Sequence, residues 1–198
     1  MVPVNVKLPL HFRKGEGYIE SGRVLFSESK SILRTIHSIP WCPGELYFEC
    51  KFKKIQTNGP IYFGLTTKDS KSAPGRDECS IGCELNETKK GFIYCNGKRI
   101  DYNKYKTHHQ KDRFYETTSN EAVQEGDDVG CRIRFEMHDE EMIASCTFTK
   151  NNAVLTRKIF INNTGHPKFY PTVASGFNGL EIDANISYRS DAKFGTGW

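Results

Sequence analysis

The chain lacks the short signatures from which a catalytic site is most readily read. No Gly-x-Ser-x-Gly elbow, no phosphate-cradling glycine loop and no His-Glu-x-x-His pair occurs in its 198 residues. The expectation is a non-catalytic protein that needs no cofactor. No apolar run reaches the length of a membrane helix. Pro3, Lys7 and Pro9 interrupt the opening decapeptide before it could serve as a signal segment. A soluble protein of the cytoplasm is therefore expected, with the nucleus as the alternative setting and no membrane contact. Seven cysteines cannot all pair within one chain, and none stands in a Cys-x-x-Cys arrangement, so neither a disulfide framework nor a zinc ribbon is indicated. A strong charge of one sign is also missing. Lys and Arg number 28 against 24 Asp and Glu, a net +4 without the clustered basic stripe of a nucleic-acid binder. Tryptophan is scarce, with only Trp41 and Trp198.

What is present is strand-forming material. Glycine occupies 17 positions, aromatics make up 12% of the chain, and long helix-period apolar runs do not occur. The length fits one domain with one core. In Leu46-Tyr47-Phe48-Glu49-Cys50-Lys51-Phe52-Lys53 the apolar set falls on one face and the charged set on the other. The same alternation places Cys131, Ile133 and Phe135 inward against Arg132, Arg134 and Glu136, and Ala144, Cys146 and Phe148 inward against Ser145, Thr147 and Thr149. The cysteines in these runs read as small core hydrophobes. Turn residues punctuate the strands at Pro40 to Gly44, at Asn58-Gly59-Pro60 and at Asn96-Gly97, the last suited to a tight primed hairpin. His138-Asp139-Glu140-Glu141 reads as a charged hairpin tip. With no βαβ alternation and no internal repeat, the pattern predicts an all-β sandwich of two antiparallel sheets.

Residues 104–128 are the least strand-like, basic in the first half and acidic in the second, and read as an extended loop that either makes contacts or moves. His108-His109 has no carboxylate and cysteine set around it to complete a coordination shell, so no metal site is expected. Asp127-Asp128 and Glu140-Glu141 are sequence neighbours, which does not give the separation across a pocket that paired catalytic carboxylates require. The sequons at Asn86, Asn162 and Asn185 read as accidental; the third sits in an alternating terminal strand.

An ordered series of motifs carries more information than any of these. Tyr47-Phe48-Glu49 is followed by Tyr62-Phe63-Gly64-Leu65, then by Pro-Gly-x-Asp-x-x-Ser-x-Gly from Pro74 to Gly82. Gly126-Asp127 with Gly130-Cys131, Phe148-Thr149-Lys150-Asn151, Tyr170-Pro171-Thr172-Val173 and Asp183-Ala184-Asn185 complete it. From about Tyr18 to Tyr188 this order resembles SPRY domains, and is most similar to those of Ran-binding proteins associated with the microtubule-organising centre. The resemblance implies a bent, concanavalin-like β-sandwich over 18–190, flanked by an extension over 1–17 and a tail over 191–198. It further implies loops at one end that hold a short segment of another protein, and it fits membership of a larger complex. The chain departs from the pattern at Arg76, where family members commonly have Trp, at Ile81 and Cys83, where aromatics flank the glycine, and at Asn152, where Gly closes the turn.

By position beside the matching motifs, the candidate partner-binding residues are Glu28, Ser29 and Lys30, then Asp69, Lys71 and Arg76, then Phe177 and Asn178. Arg76 leads, because a guanidinium can pair with a carboxylate in two-point fashion, and Phe177 offers an aromatic anchor. The plainer reading of Arg76 is a surface pair with Asp77 or Glu78, worth about 0–1 kcal/mol. A lectin-like carbohydrate binder is the alternative function, since sandwiches of this type also serve that purpose and fold alone does not assign function.

Overall fold

Leu46, Phe48, Cys50 and Phe52 are each buried while the polar residues between them stay half-buried or exposed, and that alternation sets the architecture. The structure, a computed structural model, describes residues 7–9, 18–20, 23–26, 31–41, 43–55, 59–86, 92–100, 122–138, 141–156, 158–161 and 167–189. These form strands β1 (Lys7–Pro9), β2 (Tyr18–Glu20), β3 (Arg23–Leu25), β4 (Ser31–Arg34), β5 (Gly44–Lys54), β6 (Ile61–Thr67), β7 (Ile81–Leu85) and β8 (Phe92–Cys95). The second half adds β9 (Lys98–Arg99), β10 (Asp128–His138), β11 (Glu141–Lys150), β12 (Ala153–Val154), β13 (Ile159–Ile161), β14 (Phe169–Ser175) and β15 (Glu181–Arg189). No helix occurs among the described residues, and the expected all-β sandwich of two antiparallel sheets is the fold.

The nine-stranded sheet runs β12-β11-β10-β5-β15-β3-β2, with β1 on β15 and β13 on β11; the six-stranded sheet runs β4-β14-β6-β7-β8-β9. The strand at Lys7–Pro9 pairs with Asn185 to Ser187, so the stretch expected as an extension contributes to the first sheet. Inner faces interdigitate through Phe48, Phe63 and Phe148, with the first two rings 4.6 Å apart and the last two 6.4 Å apart at near right angles. Removing side chains of this size from water stabilises the sandwich by roughly 1.5–3 kcal/mol each. Trp41 closes one edge of the core against Phe135 and Phe169 and donates its indole N–H to the Pro167 carbonyl at 2.9 Å. Cys131 and Cys146 approach to 3.2 Å between sulfurs inside this core, as buried thiols.

Two expected turns have the backbone that their residues favour. Asn96 and Gly97 take φ of 51° and 75° between β8 and β9, the left-handed pair of a primed hairpin. Asn151 and Asn152 take 49° and 65° between β11 and β12, so asparagine fills a position where the resembling pattern has glycine. The neighbouring acidic pair is structural. Asp127 lies 3.0 Å from Lys150 Nζ and accepts 2.7 Å bonds from Asn151 Nδ2 and from the Gln124 amide. Lys150 also donates to the Ala122 carbonyl at 2.8 Å. The Gly126-Asp127 and Lys150-Asn151 motifs are thus two halves of one clasp.

Candidate functional site

Gly64 and Gly82 face each other across β6 and β7, and their missing side chains leave a trough on the outer face of the six-stranded sheet. The loop 68–80 folds back into it. A Cβ on Gly82 would lie 2.2 Å from the Pro74 carbonyl oxygen, and one on Gly75, whose φ is 84°, would lie 2.6 Å from Tyr94. Asp77 is the internal brace of this loop: it accepts bonds from the Ser70 hydroxyl and the Ser72 amide, while its own amide donates to Ser80 Oγ at 3.1 Å. Burial works against the charged carboxyl, but the bonds from Ser70 and Ser72 outweigh it and hold Asp77 below its ordinary pKa. Arg34 of β4 ties down the loop's start, donating to Thr66 Oγ1 at 2.9 Å and to the Lys68 and Ser70 carbonyls at 2.7 and 2.6 Å.

This packing delivers Arg76 onto the sheet. Its guanidinium carbon stands 3.7 Å from the Tyr94 ring centre, and Nη2 donates to Tyr62 Oη at 3.1 Å and to Glu84 Oε2 at 2.8 Å. Burial acts to lower the Arg76 pKa, but the bond to Tyr62 and the charges of Tyr62, Tyr94 and Glu84 win and raise it. Tyr94 is itself raised, first by burial and then by Glu84. The side chain is 38% exposed, and neither Nε nor Nη1 bonds to a described residue. One nitrogen of the guanidinium is thus held by the protein while the side chain stays partly exposed. Beside it, Arg99 stacks on Phe92 with its guanidinium carbon 3.5 Å from the ring centre.

Glu84 is the partner of Arg76, in place of the Asp77 or Glu78 expected, because Asp77 is turned into the loop. Asp69 and Lys71 are exposed in the same loop. Phe177 is half-buried and packs on the core, its ring edge within 2.9 Å of where a Gly59 Cβ would stand, and Asn178 is exposed. Glu28, Ser29 and Lys30 lie outside the described residues; β4, which follows them, starts with Ser31 opposite Ser175. One shared rim was expected, yet the register separates the candidates: Phe169 pairs with Thr67 and Ser175 with Ile61. The loop holding Asp69 and Lys71 and the loop holding Phe177 and Asn178 therefore leave from opposite ends of the sheet. Arg76 bridges them, because its loop doubles back over Gly82 to reach Tyr62, the neighbour of Ile61.

Sequence reasoning missed Arg34, Tyr62, Glu84 and Tyr94. The available signal was alternation: Tyr62 pairs with Glu84, and Tyr94 with Gly82, all on the outward side. Among the described residues no group of His, Cys, Asp and Glu is placed to hold a metal ion.

A family model described as the SPRY domain matches residues 45–187. No curated protein matches the chain. Among solved structures, a human SPRY domain aligns with a TM-score of 0.56 at 16% identity, covering 91% of this chain and 98% of that one. The SPRY domain of human HERC1 aligns at 0.53 and 12% identity, with 91% and 98% coverage. The carbohydrate recognition domain of Emp46p, in its metal-free form, aligns at 0.52 and 14% identity, with 92% and 87% coverage. At such identities the likeness extends to the fold, a two-sheet sandwich shared by SPRY domains and lectin-type domains.

Proposed function

Because the chain belongs to the SPRY domain family, we propose that it is a non-catalytic module that holds a short peptide or loop of a partner protein against the outer face of its six-stranded sheet. SPRY domains are in general protein-interaction modules. The observation that carries the reading is the half-committed Arg76 guanidinium, stacked on Tyr94 and anchored to Tyr62 and Glu84 through one nitrogen while the side chain stays 38% exposed. A prepositioned guanidinium loses little freedom on pairing with a partner carboxylate, and the flanking rings of Tyr62, Tyr94 and Phe92 supply apolar contact around it. Asp69 and Lys71 extend this surface at one end, and Phe177 and Asn178 at the other. Glu28, Ser29 and Lys30 belong to the same proposal through the strand that follows them.

The finer likeness to Ran-binding proteins, with a place in a larger complex, rests on the motif order, and a cytoplasmic or nuclear setting rests separately on the lack of a membrane-length apolar run. The lectin-like reading draws on fold neighbours such as the Emp46p domain. It lacks an open tryptophan platform among the described residues, because Trp41 is engaged with Phe135 and Phe169. Selection of a displayed peptide library on wild type, Arg76→Ala and Phe177→Ala, with a glycan array in parallel, tests the proposal. A motif enriched by wild type and lost with Arg76→Ala supports it; enrichment unaffected by Arg76→Ala, or binding on the glycan array only, overturns it.

A further inference from the structure

The outer face of the nine-stranded sheet, on the opposite side of the sandwich, carries a second organised set of side chains. Register lines up Glu45, Arg134, Ser145 and Phe160 as successive cross-strand neighbours on β5, β10, β11 and β13. The adjacent row is Tyr47, Arg132 and Thr147. Tyr47 lies against Gly130, where a Cβ would come within 2.1 Å of its hydroxyl, and that hydroxyl is 3.1 Å from Thr149 Oγ1. Glu45, Arg132, Arg134, Ser145, Thr147 and Lys158 line a depression of about 180 Å³.

Its charges are deliberately uneven. Arg132 Nε is 3.3 Å from Glu45, Arg134 Nε is 3.0 Å from Glu136, and Lys158 bonds to Glu136 as well, so three cations share two carboxylates. Both arginines meet their carboxylates through Nε, and their terminal nitrogens bond to no described residue. Their side chains are 49% and 51% exposed. Phe160, at 61% exposure, stands at the edge of the depression with Lys158 Nζ 5.4 Å from its ring centre. An exposed aromatic beside unfilled arginine forks is the composition of a contact surface.

We propose that this depression docks an acidic segment of a partner protein, its carboxylates taken by the terminal nitrogens of Arg132 and Arg134 and by Lys158, with an adjacent apolar side chain set on Phe160. The excess of cations fits an anionic partner, and the fork geometry suits carboxylates. A nucleic-acid backbone fits less well, because its evenly spaced phosphates would meet Glu45 and Glu136 along the same track. This surface is separate from Arg76, so the proposal goes beyond the function given above and stands or falls independently.

The test is fluorescence anisotropy of a labelled peptide of alternating glutamate and leucine, with its lysine counterpart and a single-stranded oligonucleotide as comparison probes. Saturable binding of the glutamate peptide by wild type is expected, weakened about tenfold or more by Arg132→Gln with Arg134→Gln and several-fold by Phe160→Ala. Arg23→Gln on β3, outside the depression, is expected to leave it unchanged. Arg134→Lys, which keeps the charge and loses the fork, should fall between and serves if the double variant does not fold. Absence of saturable binding, an equal loss with Arg23→Gln, or tighter binding of the oligonucleotide through the same arginines would overturn the proposal.

Discussion

The guanidinium of Arg76 rests on the face of Tyr94, 3.7 Å from carbon to ring centre, although 18 positions separate the two residues. The contact exists because Pro74 and Gly75 lie in the trough over Gly82, where any side chain would collide with the loop backbone. A stack at a partly exposed site is worth about 0.5–1 kcal/mol. The Arg76–Glu84 pair, at 38% and 16% side-chain exposure, adds about as little once solvent screening is counted. These contacts orient the arginine more than they hold the fold.

It follows that Arg76→Ala should lower stability by only about 1 kcal/mol. Urea denaturation of the variant against wild type measures this; a loss several times larger would make Arg76 a fold determinant in place of a presented side chain.

Gly82→Ala should behave very differently. Its Cβ would stand 2.2 Å from the Pro74 carbonyl oxygen and 2.5 Å from the carbonyl carbon, and backbone cannot swing aside as a side-chain tip can. A loss of about 3 kcal/mol or more is expected. Gly126→Ala meets nothing within 4 Å but sits at φ 90°, so only its backbone strain counts, about 1 kcal/mol. Thermal melts of the two variants should rank in that order.

The clasp around Asp127 gives a pH signature. Burial raises the Asp127 pKa, but bonds from Asn151, the Gln124 amide and Lys150 overcome this and hold it below the ordinary 3.8. A carboxyl depressed on folding contributes stability that is complete above its unfolded pKa and is lost as pH falls through its folded pKa. Wild type should therefore lose stability below about pH 4, and Asp127→Asn should show a flatter acid limb. Asp127→Ala should cost about 1–3 kcal/mol at neutral pH by removing the acceptor of the Asn151 and Gln124 bonds and the carboxylate beside the largely buried Lys150. Denaturation midpoints across acid pH check both statements.

The core thiols should be inert. Burial pushes Cys50, Cys83 and Cys131 far up, and Cys95 to about 11. At pH 8 a thiol with that value is only about 0.1% thiolate, the reactive form. Alkylation under native conditions, read by mass spectrometry, should spare Cys50, Cys83, Cys131 and Cys146, with unfolding required to label them. Rapid native labelling of Cys131 or Cys146 would contradict their packing.

The strands were legible in the sequence because alternation at Leu46 to Lys53 or Cys131 to Glu136 reports directly on which face meets a core, and because Asn96-Gly97 suits left-handed backbone. Arg76 was legible as a candidate from its place in the Pro74–Gly82 motif. Its partner was not, since the bond to Glu84 depends on a loop doubling back over two opposed glycines, a tertiary event without sequence periodicity. The same reason hid the separation of Asp69 from Phe177: motifs give the order of loops along the chain, while strand register decides which end each loop leaves from. Arg34 went unnoticed because an outward arginine on a short strand looks like any solvated charge until its three contacts with Thr66, Lys68 and Ser70 are seen.

A partner segment held on the outer face of the six-stranded sheet around Arg76 should leave its footprint there. Titration of a library-selected peptide into isotope-labelled protein, followed by amide chemical-shift changes, tests it most directly. Saturating shifts clustered at Tyr62, Arg76, Glu84 and Tyr94, abolished in Arg76→Ala, are expected. Shifts absent from those four residues, or undiminished in the Arg76→Ala variant, would contradict it.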